Sequence, residues 1–94
     1  MNNITLDRLR HHIDKVDLKI LRLLAERMII SKKIGQIKSV LKLPPLQPAR
    51  WKKVLQTRIK IGEDFGLRSN FIQMIWDHIH DESLTEQKRK TYDS

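Results

Sequence analysis

Residues 23–38 read LLAERMIISKKIGQIK. Leu23, Leu24, Ile30, Ile34 and Ile37, with Leu41 just beyond, fall on the three- and four-residue grid of one face of an α-helix. Outward from this stretch, nothing interrupts the pattern from Leu6 to about Leu41. Gly35 is the weak residue inside, costing about 1 kcal/mol against alanine, and a glycine there permits close packing. At the upstream end Thr5 is an acceptable N-cap and Asp7 suits the positive helix end. Ile4 and Leu9 sit at the spacing of a hydrophobic staple. One helix over 6–41 is the expectation.

The stretch KLPPLQPAR, residues 42–50, ends it, because Pro44, Pro45 and Pro48 cannot continue a helix interior. Pro48 is suited to the first position of a second helix, expected over 48–65 with Val54, Leu55, Ile59 and Ile61 as its apolar residues and Gly66 as its C-terminal cap. A third helix is expected over 69–88, carrying Phe71, Ile72, Ile75, Trp76 and Ile79. The tail KRKTYDS is expected to fray. No internal repeat and no second domain is evident, so residues 1–94 read as a single all-α domain of three helices.

Bulk composition agrees. The 94 residues include no cysteine, which excludes disulfides and thiolate metal sites, and no stretch alternates cleanly enough for a strand. No apolar run approaches the roughly 18 residues of a membrane helix. The start, MNNITLDRLRHH, lacks the layout of a signal peptide. A cytoplasmic protein with no membrane association is expected. The net charge of +8 suits either a nucleic acid or a small polyanion, and charge alone does not choose.

Length adds a partner. A helix of about 36 residues spans roughly 54 Å, whereas a compact monomer of this size has a radius of gyration of about 12 Å. The first helix must protrude, and Met28-Ile29-Ile30 makes it apolar around much of its circumference. A homodimer with extensive helix–helix contact is expected, two-fold symmetric.

Two cations lie on the stripe this helix should bury. Arg27 and Lys38 are 11 residues apart, so they differ by only about 20° around the axis and about 16 Å along it. Ser31 and Ile34 lie between them on the same face. Arg10 is also near the stripe but about 25 Å from Arg27 along the helix, too far to grip the same small molecule within one chain. In an antiparallel dimer Arg10 of one protomer could approach Arg27 of the other. An unpaired buried cation costs several kcal/mol. Either an anion occupies the space beside them, or Glu26, Asp17 or Asp14 pairs with them, or they reach water.

Here the residues resemble a known family. LDRLRHHIDKVDLKILRLLAERMIISKKIGQIK, a proline-containing loop, PAR, and then FGLRSNFIQMIWDHIHDES are similar to the all-helical chorismate mutases, over about Leu6 to Gln87. The resemblance implies an intertwined homodimer of three-helix protomers, no cofactor and no metal, and a small dianionic substrate. It implies that Arg10 reaches into the partner's active site, that Arg27 and Arg50 bind the substrate, and that Ser83 is a polar binding residue. Lys38 and Gln87 would meet the ether oxygen broken in the rearrangement. Two positions depart. Gln47 stands where the family often has aspartate. Trp51 stands where many members have a glutamate that helps bind the ring hydroxyl, a contact tryptophan cannot reproduce.

The implied reaction, chorismate to prephenate in aromatic amino-acid biosynthesis, is an intramolecular shift. One C–O bond breaks, one C–C bond forms, and no proton moves. It needs a fixed conformer of the dianion and stabilised charge at the ether oxygen, not a nucleophile or metal. His11, His12, His78 and His80 are too scattered for a zinc set, and His78 and His80 read as surface residues. The alternatives are an isochorismate–pyruvate lyase or an aminodeoxychorismate mutase on the same scaffold. Relatives of both kinds can lack that glutamate. A basic dimer binding nucleic acid is the reading from another class. It has the lysine-rich surface but neither helix-turn-helix spacing nor interleaved aromatics.

Overall fold

The chain is described here in a computed structural model covering residues 3–89. These residues form three helices: α1, Asn3–Val40; α2, Pro48–Asp64; and α3, Ser69–Lys88. Most of the tail expected to fray lies outside the described residues.

The first helix starts three residues earlier than expected, so Thr5 lies inside its first turns and not at the N-cap. Nothing in Asn3, Ile4 or Thr5 terminates a helix. Their propensities cost at most about 0.7 kcal/mol each, too little to stop a helix of this length. Its other end closes in a Schellman motif. Leu43 N–H donates to Lys38 O at 2.8 Å and Lys42 N–H to Ser39 O at 3.1 Å. Lys42 takes the left-handed φ of 58° that this closure requires. At the end of α2 the same motif recurs with Leu67 N–H on Gly62 O and Gly66 N–H on Glu63 O, both 2.9 Å. There the left-handed residue is Gly66, at φ 87°, which carries no Cβ penalty.

The third helix packs against both others. Its buried anchors are Ile72 and Ile79, which with Val54 of α2 make up the buried aliphatic core among the described residues. Two glycines set the approach distances. A Cβ on Gly62 would stand 2.4 Å from Ile72 Cδ1, and one on Gly35 would stand 2.3 Å from the backbone oxygen of Gln87. Gly35 therefore lets α1 lie directly against the backbone of the C-terminal turn of α3.

The shape is long and open, with extents of 60 × 32 × 14 Å and a radius of gyration of 17.2 Å, against about 12 Å for a compact chain of this length. The length comes from α1. Along its N-terminal half Leu6, Leu9, Ile13, Val16, Ile20 and Leu23 are all exposed. The small core follows directly: this apolar row on α1 is not covered by the chain itself.

Candidate active site

One cavity of about 430 Å³ lies where the three helices and the 41–47 loop converge. Helix α1 contributes Arg27, Ser31, Ile34 and Lys38, in register every three or four residues. The loop adds Leu43, Pro45 and Gln47; α2 adds the adjacent Arg50 and Trp51, and Val54 one turn on; α3 adds His80, Ser83 and Gln87.

The polar groups are fixed by contacts between helices. Lys38 Nζ donates to Gln87 Oε1 at 2.8 Å and to the Pro45 carbonyl at 2.7 Å. An ammonium has three donors, so one remains for a ligand. With Oε1 engaged, the amide nitrogen of Gln87 is also free to donate. Arg27 Nη1 donates to Ser83 Oγ, and Ser83 is itself almost fully buried, with its hydroxyl against Met28 Sδ at 3.9 Å. Gln47 Nε2 donates to Pro44 O at 3.1 Å, which ties the loop to itself.

Charge in the cavity has one sign. Arg27, Lys38 and Arg50 line it and no aspartate or glutamate does. Among the described residues the ion pair present is Arg89–Glu86, at the far end of α3. Asp14, Asp17 and Glu26, which could have neutralised the cations, do not pair with them. The consequence is electrostatic strain. Burial, then the neighbouring charges of Arg58 and Arg50, pull the Arg27 pKa below its ordinary value. Burial alone pulls Lys38 down. Such a constellation favours an anion beside it.

The cavity thus brings together Arg27, Lys38, Gln47, Arg50, Trp51, Ser83 and Gln87, all singled out from sequence. Arg10 is not among them. It sits on the exposed N-terminal half of α1, 17 residues before Arg27, about 25 Å away by helical rise. Trp51 faces the cavity and not the core. Its ring stacks on His80, centroids 3.8 Å apart and planes 10° apart. This corrects the reading of His80 as a surface residue. His80 is half-buried in the cavity wall, while His78 is exposed. The signal was present in the spacing: His80, Ser83 and Gln87 follow at three and four residues and share one face of α3. The Pro45 carbonyl was not legible from side-chain identities, and Arg58 became relevant only through its proximity to Arg27.

Residues 9–88 match the family chorismate mutase type II. The chain belongs to that family. It is 31% identical over 81 residues to a chorismate mutase of Methanocaldococcus jannaschii, covering 84% of this chain and 82% of that one. It is 36% identical over 80 residues, 85% of its length, to a bifunctional chorismate mutase/prephenate dehydratase of Buchnera aphidicola, and covers 21% of that protein. It is also similar to a T-protein of Enterobacter agglomerans, at 33% identity, spanning 22% of it. The chain therefore spans about a fifth of the length of these two longer relatives. In three dimensions it superposes on the chorismate mutase (form II) of Thermus thermophilus with a TM-score of 0.83 and 30% identity, over 92% of this chain and 97% of that one. The chorismate mutase type II family thus supplies the same three-helix fold that the periodicity of the sequence predicts.

Proposed function

We propose that this chain is a chorismate mutase, acting as a cytoplasmic homodimer without a cofactor, and that Arg27, Lys38, Arg50, Ser83 and Gln87 form its active site with Arg10 of the partner subunit. The observation that carries this reading is the convergence of three cations with no acidic counterpart on one cavity. Arg27 and Lys38 are partly buried without a carboxylate partner, which is unfavourable without an anion, so the space beside them and Arg50 suits a small polyanion. Family membership names the polyanion: the dianion chorismate.

Arg27 and Arg50 would hold a carboxylate through charge-assisted hydrogen bonds. Ser83 fixes Arg27 so that its remaining donors are pre-aimed. Holding the flexible dianion in its compact conformer turns an improbable arrangement into the bound one. As the C–O bond breaks, negative charge grows on the ether oxygen. The free N–H of Lys38 and the amide of Gln87 would meet that charge, which is larger in the transition state than in the ground state. A donor of this kind contributes about 3 kcal/mol. The carbonyl of Pro45 and Oε1 of Gln87 hold the ammonium in place in the meantime.

The dimer reading is supported by the uncovered apolar face of α1 and by the position of Arg10 on it. A second α1 running antiparallel would cover that face and bring Arg10 toward the other protomer's Arg27. Purified protein given chorismate should produce prephenate with saturable kinetics. Isochorismate, offered in parallel, should be left intact. Release of pyruvate from isochorismate, with chorismate untouched, would replace this reading with the lyase.

A further inference from the structure

The wall of the cavity built by α2 and α3 carries a ring pair that the rearrangement does not use. Trp51 and His80 lie face to face, 3.8 Å between centroids. The nitrogens of an imidazole lie in its plane, so a parallel indole occupies a ring face and leaves both nitrogens available. Among the described residues neither His80 nitrogen has a hydrogen-bond partner, although the residue is half-buried in the cavity. An oriented polar side chain with unused valences, facing a ligand cavity, is a contact waiting for a ligand group.

Which group follows from charge. Burial holds the imidazole below its ordinary range. Of the charges around it, Asp81 and Asp77 on its own helix pull it up, and Arg27 and Lys38 across the cavity on α1 push it down. At neutral pH His80 is uncharged, one nitrogen donating and the other accepting. A hydroxyl also donates and accepts, and is neutral. Either nitrogen of the neutral imidazole can therefore pair with a hydroxyl, one by donating to its oxygen and the other by accepting its hydrogen.

We propose that His80, oriented by the indole of Trp51, is a specificity-determining residue of this cavity: it hydrogen-bonds a hydroxyl on the ring of a dicarboxylate and so favours that ring over the same ring lacking the hydroxyl. This inference rests on reading the cavity as a chorismate-type site, and it separates chorismate from its 4-deoxy analogue.

The test compares the KM for chorismate with the inhibition constant of the 4-deoxy analogue, for the parent, His80→Ala, His80→Gln and Trp51→Phe. The parent should favour chorismate by about three- to tenfold, the span of one neutral hydrogen bond. His80→Ala should weaken chorismate by about that factor and should leave the 4-deoxy analogue unchanged. His80→Gln keeps a donor and an acceptor and should recover most of the loss. Trp51→Phe keeps a smaller stacking face and should retain the preference for chorismate over the analogue, whatever its absolute KM. Circular dichroism melts check that each variant is folded, and the glutamine variant carries the test if the alanine variant is not. Equal affinity for the two dianions, or a chorismate KM indifferent to His80, overturns the inference while leaving the activity intact. If the parent turns over neither compound, calorimetry replaces kinetics. A His80-dependent preference for chorismate then sustains the inference without the activity, and no binding of either dianion by folded parent overturns both.

Discussion

Lys38 has three N–H donors and two protein acceptors, Pro45 O and Gln87 Oε1. The third donor makes it more than a structural tie between α1 and α3. Removing it in Lys38→Ala should lower turnover of chorismate at least about 100-fold, because the charge at the developing oxyanion is lost. Lys38→Gln should not recover it at neutral pH, since the missing element is charge and not a hydrogen bond. Near-parental kcat in either variant would remove Lys38 from the chemistry. The same residue sets an alkaline limit. Burial depresses its pKa below the ordinary 10.5, so the pH–rate profile should fall on its alkaline side before that value, as the ammonium loses its proton. The sign for stability is the reverse. A lowered folded-state pKa means that the charged form costs the fold something: the contribution of Lys38 is fully present above 10.5 and is lost as pH falls through its folded value. At neutral pH the unliganded cavity is therefore less stable than its shape would allow, and an anion reverses that.

At the scale of elements, Gly35 and Lys42 set two local preferences against each other. In an isolated helix Gly35→Ala would stabilise by about 1 kcal/mol. Here the new Cβ would stand 2.3 Å from Gln87 O and 2.4 Å from Gln87 Cα. Those are backbone atoms of a helix and cannot move aside singly, so α3 must shift. Overpacking of this kind costs about 1–3 kcal/mol, which outweighs the propensity gain. Urea titration of Gly35→Ala should show a net loss of about 1 kcal/mol or more, and kcat should fall with it, because Gln87 moves away from Lys38. An unchanged midpoint would mean that the two helices are not held at this distance. Lys42 is the opposite case. It occupies a left-handed φ of 58°, which costs a residue with a Cβ about 1–2 kcal/mol. Lys42→Gly should raise the urea midpoint, offset partly by the greater freedom of glycine in the unfolded chain. The sequence carried half of this. Gly66 stood in the expected place after α2, but nothing in KLPP marked Lys42 as the residue to turn left-handed. That role fell to it because the Schellman closure at Lys38 and Ser39 precedes the prolines so closely.

The molecule as a whole has too little buried apolar surface for its length. Ile72, Ile79 and Val54 form its buried core, while a row of large aliphatic residues on α1 stays exposed. Sedimentation equilibrium at micromolar concentration should return twice the 11.2 kDa chain mass; a folded monomer would contradict the dimer. The partition of the site between chains has its own check. Arg10→Ala and Arg27→Ala should each be poorly active. Mixing them with subunit exchange should restore one intact site per mixed dimer, which is about a quarter of parental activity when exchange is statistical. No recovery on mixing would confine Arg10 to its own protomer or remove it from the site.

The sequence by itself determined the helices, because period, proline position and the glycine after α2 are local signals read within a few residues. It also determined the cationic face: Arg27 and Lys38 are tied to one side of α1 by helical geometry alone. Resemblance extended this to Arg50, Ser83 and Gln87. Only the tertiary structure decided between a paired and an unpaired cluster, since that depends on where Glu26, Asp17 and Asp14 stand relative to the cavity. Only it turned Trp51 inward and laid His80 against it. Two residues that are 29 positions apart on different helices stack because α2 and α3 pack side by side, and no local pattern encodes that distance. The loop carbonyl that holds Lys38 was invisible for the same reason: every residue has one, and its use depends on where the backbone passes.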